Sequence, residues 1–223
     1  MSTVLHLGHH RLHIEPERAL WWPAQQCVLL ADVHVGKADT FRRHGIAIPD
    51  PVQQHDLARL QRLLQRCQPQ RLLILGDLVH GAVFNPSTQQ AWVQLVQTYP
   101  GTRFELVAGN HDRWLHPQDW QLYAVHPDVT LDDVHLSHEP VPASTLAAQG
   151  AAWNIHGHIH PAVHVPGGPH KLPALVHTPP YVSLPAFSAF TGGATQDLRR
   201  SAVWLFLPHD AGVAALKTLP PSP

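Results

Sequence analysis

The sequence predicts an α/β domain whose chemistry is gathered at the ends of its strands. Three observations lead there. Short apolar runs stop abruptly in Asp, Gly, Asn or His; amphipathic stretches lie between the runs; and a late Pro- and Gly-rich region still holds strand-like pieces. The order strand, helix, strand, helix, strand argues for an α/β core. With 223 residues the chain can bury one sizeable core, and a single domain over 1–223 is expected.

Along the chain, Met1 to Arg11 has no long apolar core, so neither a signal peptide nor a membrane anchor is expected. No run of about eighteen apolar residues follows, which makes the cytoplasm the default location. The first strand expected is Cys27-Val28-Leu29-Leu30-Ala31, ending at Asp32, and the second is Leu72-Leu73-Ile74-Leu75, ending at Gly76-Asp77. Phe104 to Ala108 precedes Gly109-Asn110-His111, and Val134-His135-Leu136 precedes Ser137-His138. Apolar runs this short read as buried strands. Each polar cluster then falls just past a strand's carboxyl end, where open α/β sheets bind ligands.

Asp56 to Cys67 sets Leu57, Leu60, Leu64 and Cys67 at helical spacing, with Arg and Gln elsewhere. A second helix is expected after Asn85-Pro86-Ser87, with Ser87 as N-cap, running to about Tyr99. Pro and Gly are dense from Pro161 to Pro185, yet Tyr181 to Ser183 and Ala202 to Leu207 look like strands of a second sheet completing the domain. The tail from Pro220 is expected to fray.

Hydrophobic residues make up 44% and charged residues 14%, a globular composition. A net charge of -1 argues against coating nucleic acid by bulk electrostatics, though metal ions can supply local positive charge. Cys27 and Cys67 sit among apolar residues and suggest no disulfide. Twenty histidines are unusual, and their positions decide what they mean.

Asp32 and His34, two apart in an extended segment, can reach one cation. Asp77, after a turn-forming Gly, has two oxygens that can bridge two metals. Asn110 offers a neutral hard oxygen. His111 can donate to a reacting phosphate, and Asp112 can orient that histidine. His138 follows the fourth strand. His158 and His160, again two apart, can share one cavity, whereas Gly157 makes His156 the weaker candidate. Each piece alone is a common turn or strand end. Five clusters in this order form a metal site.

Asp32-x-His34, Gly76-Asp77, Gly109-Asn110-His111-Asp112, His138 and Gly157-His158-x-His160 resemble the five signature motifs of the calcineurin-like metallophosphoesterase superfamily. The resemblance implies a two-sheet αββα sandwich with the site at the strand ends. Asp32, His34, Asp77 and His160 would hold one metal, and Asp77, Asn110, His138 and His158 the other, with Asp77 bridging. By that resemblance these residues would hold two cations, which would supply activation of a water nucleophile and stabilisation of the phosphoryl oxygens. The ligand set suits manganese, with iron or zinc as alternatives.

Lys37, Arg42, Arg43 and His44 lie close to the first ligands and could hold flanking phosphates, or form an ordinary solvated loop or helix start. His80 could touch substrate if a helical turn follows Asp77, or simply pack. These details, with Ser137-His138-Glu139-Pro140 and His156 to Pro161, are similar to the bacterial DNA ligase-associated metallophosphoesterases, described as DNA-damage-response endonucleases. That similarity implies a manganese-dependent nuclease preferring single-stranded DNA, linked in repair to a ligase and helicase-like partners. No aromatic stacking platform is evident in the sequence. Alternatives are a small-molecule phosphodiesterase or phosphatase, and a catalytically silent scaffold.

Overall fold

The computed structural model describes residues 3–46, 51–82, 84–165 and 171–217, so the tail expected to fray from Pro220 lies outside the described residues. Two mixed sheets pack face to face. The first runs β1 (Thr3–Leu7), β2 (His10–Glu15), β3 (Ala19–Trp22), β4 (Cys27–Leu30), β5 (Arg71–Leu75), β6 (Arg103–Val107) and β7 (Ala124–His126), in spatial order. Strands β1 to β4 pair antiparallel, and β4 to β7 pair parallel.

The second sheet holds β8 (Val129–Leu131), β9 (Val134–Ser137), β10 (Trp153–His156), β11 (Ala162–His164), β12 (Lys171–Thr178), β13 (Tyr181–Ser183), β14 (Ala202–Phe206) and β15 (Val213–Lys217). Its order is β15-β14-β12-β13-β10-β9-β8, with β11 paired to β12. Here β9, β10 and β13 are parallel and the rest antiparallel.

Alternation along each strand sorts the apolar side chains. Leu29, Leu73, Leu75 and Val107 face inward against Leu136, Ile155, Leu175 and Trp204 of the other sheet. Val28, Leu30, Leu72, Ile74 and Leu106 face outward, under two helices. The central parallel strands are therefore apolar on both faces, which is why they read as continuous runs. Helix α1 (Lys37–Arg43) follows β4, α2 (Pro51–Cys67) and α3 (Pro86–Thr98) cover the outer face, and α4 (Ala143–Ala148) links β9 to β10. Because the first sheet fills the inner face, that parallel crossover passes over the outer one.

The expected αββα sandwich is thus present, with differences at the edges. Helix α2 begins at Pro51 rather than Asp56, and Leu57, Leu60 and Leu64 face the core as their spacing required. The N-cap of α3 is Asn85, not Ser87, because Pro86 occupies the first helical position. There the Asp39 carboxylate accepts from Asn85 N, Asn85 Nδ2 and Thr88 Oγ1 at 2.7–2.9 Å and does the capping from outside. The β1–β3 meander, whose alternation is broken by histidines, was not expected. Among the described residues no helix is long and apolar enough to cross a membrane.

Candidate metal centre

Every expected site cluster lies beyond the carboxyl end of a strand: Asp32 after β4, Asp77 after β5, Asn110 after β6, His138 after β9, and His158 with His160 after β10. The local backbone is not extended, as the spacing of two suggested. Asp32, His34, Asp77, His158 and His160 all have left-handed φ, between 49° and 65°. Such a backbone costs about 1–3 kcal/mol per residue and persists only where the surroundings impose it. Here the imposition is visible. The β4–β5 ladder continues past the strands through Asp32 N to Gly76 O at 3.0 Å, His34 N to Asp77 O at 2.9 Å and Val35 N to Leu78 O at 2.8 Å.

Two glycines let the loops close in. A Cβ on Gly76, itself at φ 81°, would stand 2.0 Å from His138 Nδ1, and one on Gly157 would stand 2.6 Å from Ala31 Cβ and 2.7 Å from Asp32 Oδ2. Asp112 accepts hydrogen bonds from Asp77 N (2.8 Å), Gly109 N (2.9 Å) and Val79 N (3.1 Å). It therefore fixes the two turns rather than the His111 ring it was expected to orient. Burial pushes its carboxyl up to about 6, against the pull of the Gly109 and Val79 amides.

The side chains form two groups around Asp77. On one side Asp32, His34 and His160 bring their ligand atoms within 4.8 Å of one another, with His160 Nε2 3.1 Å from Asp32 Oδ1. On the other, His138 Nε2 lies 3.0 Å from Asn110 Oδ1, 3.2 Å from His158 Nδ1 and 3.5 Å from Asp77 Oδ1. Asp77 Oδ2 points to His34 Nε2 at 3.9 Å. One carboxylate thus addresses both groups.

The donor set fits divalent cations. The His138 ring donates from Nδ1 to the Leu75 carbonyl at 3.0 Å, so in its neutral form Nε2 turns a lone pair towards the oxygen of Asn110. In that form two acceptors face each other, an arrangement that a cation between them satisfies. Asn110 Oδ1, His158 Nδ1 and Asp77 Oδ1 lie 3.0–3.5 Å from His138 Nε2, close enough for one ion to be shared. His34 Nε2 and His160 Nε2 are buried without a hydrogen-bond partner. Burial first, then Lys37 and the neighbouring imidazoles, lowers His34 to about 2, so it carries the neutral form that metals bind.

His111 stands at the rim, its side chain 37% exposed, with its backbone N–H donating to Asp77 Oδ1 at 3.0 Å and Nε2 3.9 Å from Asp77 Oδ2. Its ring stacks on His80, 5.0 Å between centroids and 19° between planes. No helical turn follows Asp77; His80 arrives through a bridge between Val35 and Val79, and its Nδ1 lies 3.4 Å from His34 Nδ1. Burial, then Lys37 and His111, lowers His80 to about 4.

The basic loop divides. Lys37 heads α1, half-buried, with Nζ donating to Thr191 Oγ1 at 3.3 Å and close enough to feel Asp32 and Asp77. Arg42 is paired with Asp39 at 3.1 Å, and His44 Nδ1 meets the Thr40 carbonyl at 2.8 Å. Both contacts are made within one turn of α1. Arg43 is exposed. His156 is structural, its nitrogens held by the Gly157 carbonyl and Ser183 Oγ. The sequence reading missed Trp114, 66% exposed on the short 3₁₀ turn that follows His111. It also missed the segment at Phe187-Ser188, whose amides donate to the carbonyls of Ala31 and Asp32. An unpatterned aromatic two residues after the Gly109–Asp112 motif was the available signal for the former.

A model of the calcineurin-like phosphoesterase domain matches residues 27–158. The chain belongs to the calcineurin-like phosphoesterase family. The Pseudomonas putida nuclease MPE is similar over nearly its whole length, with 29% identity, a TM-score of 0.77, and coverage of 92% of this chain and 97% of that one. More distant are a protein of unknown function from Aquifex aeolicus, AQ665 (18% identity, TM-score 0.44, coverage 64% and 81%), and the Escherichia coli phosphoesterase Yfce (16%, 0.40, 79% and 86%). No curated protein matches. As a calcineurin-like phosphoesterase, this protein is a metal-dependent hydrolase of phosphate esters.

Proposed function

We propose that this phosphoesterase is a manganese-dependent DNA endonuclease, preferring single-stranded DNA and serving repair alongside a ligase and helicase-like partners. The observation that carries the reading is the near full-length likeness to a nuclease. Asp32, His34, Asp77 and His160 would hold one ion, and Asp77, Asn110, His138 and His158 the other. Nitrogen and oxygen ligands without cysteine favour manganese over a closed zinc site. When bound, the ions supply Lewis-acid activation of water and of the phosphoryl oxygens.

The protein's own groups do the rest. His111, half in solvent beside Asp77, donates a proton or hydrogen bond to the phosphoryl or leaving oxygen. His80 stacks beneath it and limits its rotation. Lys37 adds positive charge next to the carboxylates, and with the exposed Arg43 it can meet flanking phosphates. Trp114 offers an exposed aromatic face for an unpaired base, which supports a single-stranded substrate.

The test is cleavage of circular single-stranded DNA by metal-stripped protein with manganese restored, beside Asp77→Ala. Circles have no ends, so manganese-dependent cutting that Asp77→Ala lacks is the expected result. Intact circles with brisk hydrolysis of bis-p-nitrophenyl phosphate would redirect the enzyme to small phosphodiesters. Inactivity on both would favour a silent scaffold.

A further inference from the structure

A second cluster of metal-ligating side chains lies at the opposite end of the sandwich. Strand β2 runs parallel to β4 by way of β3, and its first residue, His10, lies beyond the amino end of β4. Asp133 immediately precedes β9. The β1–β2 turn of one sheet and the β8–β9 turn of the other therefore meet at the amino ends of the strands, whereas the phosphoesterase cluster lies at the carboxyl ends.

At that meeting point His9, His10 and Asp133 bring one ligand atom each within 4.8 Å of the others. His10 is buried and is contacted edge-on by the indole of Trp22, with ring centroids 5.0 Å apart and planes at 77°, so packing sets the orientation of its ring. Its Nε2 is in close contact with Asp133 Oδ1. The neighbouring Asp132 accepts from Gln25 Nε2 at 2.8 Å, which holds the β8–β9 turn in place. The exposed His9 ring lies against His10, with centroids 3.8 Å apart and planes tilted by 42°.

We propose that His9, His10 and Asp133 form a further divalent-metal site, of the kind zinc prefers, that clamps the two sheets together away from the phosphoesterase centre. Two imidazoles and a carboxylate give three ligands of the right hardness and leave a fourth position for water. A hydrogen bond between His10 and Asp133 would explain two of the residues. It gives no role to His9, and that difference makes the site testable.

The experiment equilibrates chelator-stripped protein with buffered zinc, dialyses it and measures metal per chain by mass spectrometry. Wild type, His9→Ala and Asp133→Asn are compared. His9 is exposed, so its removal leaves folding intact, and neither variant touches the phosphoesterase cluster. Both variants are expected to hold one equivalent fewer than wild type and to show a smaller zinc-induced rise in Tm, with unchanged hydrolysis of bis-p-nitrophenyl phosphate. Equal metal content in His9→Ala and wild type would overturn the site. So would a loss confined to Asp133→Asn, since that would reduce the cluster to a His10–Asp133 pair.

Discussion

Among the described residues, two buried regions leave imidazole nitrogens without hydrogen bonds, and they differ in what stands opposite. At the carboxyl ends of the strands these are His34 Nε2 and His160 Nε2; between the sheets it is His177 Nε2. Burial is the leading cause of lowering in both regions, taking His34 to about 2 and His177 to about 4. His34 and His160 face the carboxylates of Asp77 and Asp32. His177 faces the ring of Trp153, 5.7 Å away. An orphaned polar atom costs about 1–3 kcal/mol wherever it lies. Only where orphans converge with anionic oxygens does a cation repay that cost, so convergence, not burial, distinguishes a site from a packing residue.

Removing the group on which the two halves converge should have the largest effect. Asp77→Ala is expected to lower phosphodiester hydrolysis by on the order of 10³-fold or more, because the carboxylate placed between the two groups is gone. Circular dichroism should report an intact fold, and metal analysis a loss of bound ions. Normal turnover with two ions per chain would break the proposed bridge. A step down, His111→Ala should cost about 10²-fold in turnover while metal content is retained. His80→Ala, which removes only the stacking partner, should cost less. If the two variants lost activity equally, His80 would be more than a support for His111.

Much of this centre could be read from sequence because strand ends are marked by composition. A four- or five-residue apolar run ending in Gly-Asp or Gly-Asn-His announces both the strand and the loop. The backbone that makes the loops work was not visible. Spacing of two suggested extended segments, yet Asp32, His34, His158 and His160 converge from left-handed conformations, and around Asp32 and His34 the β4–β5 ladder and the amides of Phe187 and Ser188 hold that backbone. Phe187 and Ser188 lie more than 150 residues from Ala31 and Asp32 in the chain, and no local pattern encodes those contacts. Asp112 illustrates the same limit. Its position beside His111 suggested one role, and its three amide partners define another. The amino-terminal meander was obscured because His6, His10 and His13 interrupt its alternation.

Trp114 sharpens the comparison at the site's outer edge. It contacts substrate rather than the centre in the proposed reading, so Trp114→Ala should raise KM for single-stranded DNA by about 10-fold. Hydrolysis of bis-p-nitrophenyl phosphate should not change, and Trp114→Phe should restore most of the affinity. An equal loss on both substrates would mean that the indole supports the His111 turn instead of binding a base.

His177 gives the smallest and most isolated effect. Its unfolded pKa is about 6.5, and its folded value is lowered to about 4 by burial. Between these values the unfolded chain binds more protons than the folded one. The ring's neutral burial is therefore fully tolerated above about pH 6.5, and stability is lost as pH falls from there towards 4, with no further loss below. His177→Leu removes the titrating group and the orphaned nitrogen while keeping similar volume. It should raise Tm at pH 5 by roughly 4–8 °C more than at pH 7.5, in metal-free protein as much as in metal-loaded protein. His156, also lowered to about 4, contributes the same sign in both proteins and cancels in the difference. A gain that depended on metal would place His177 in energetic contact with the centre and erase the distinction between the two regions.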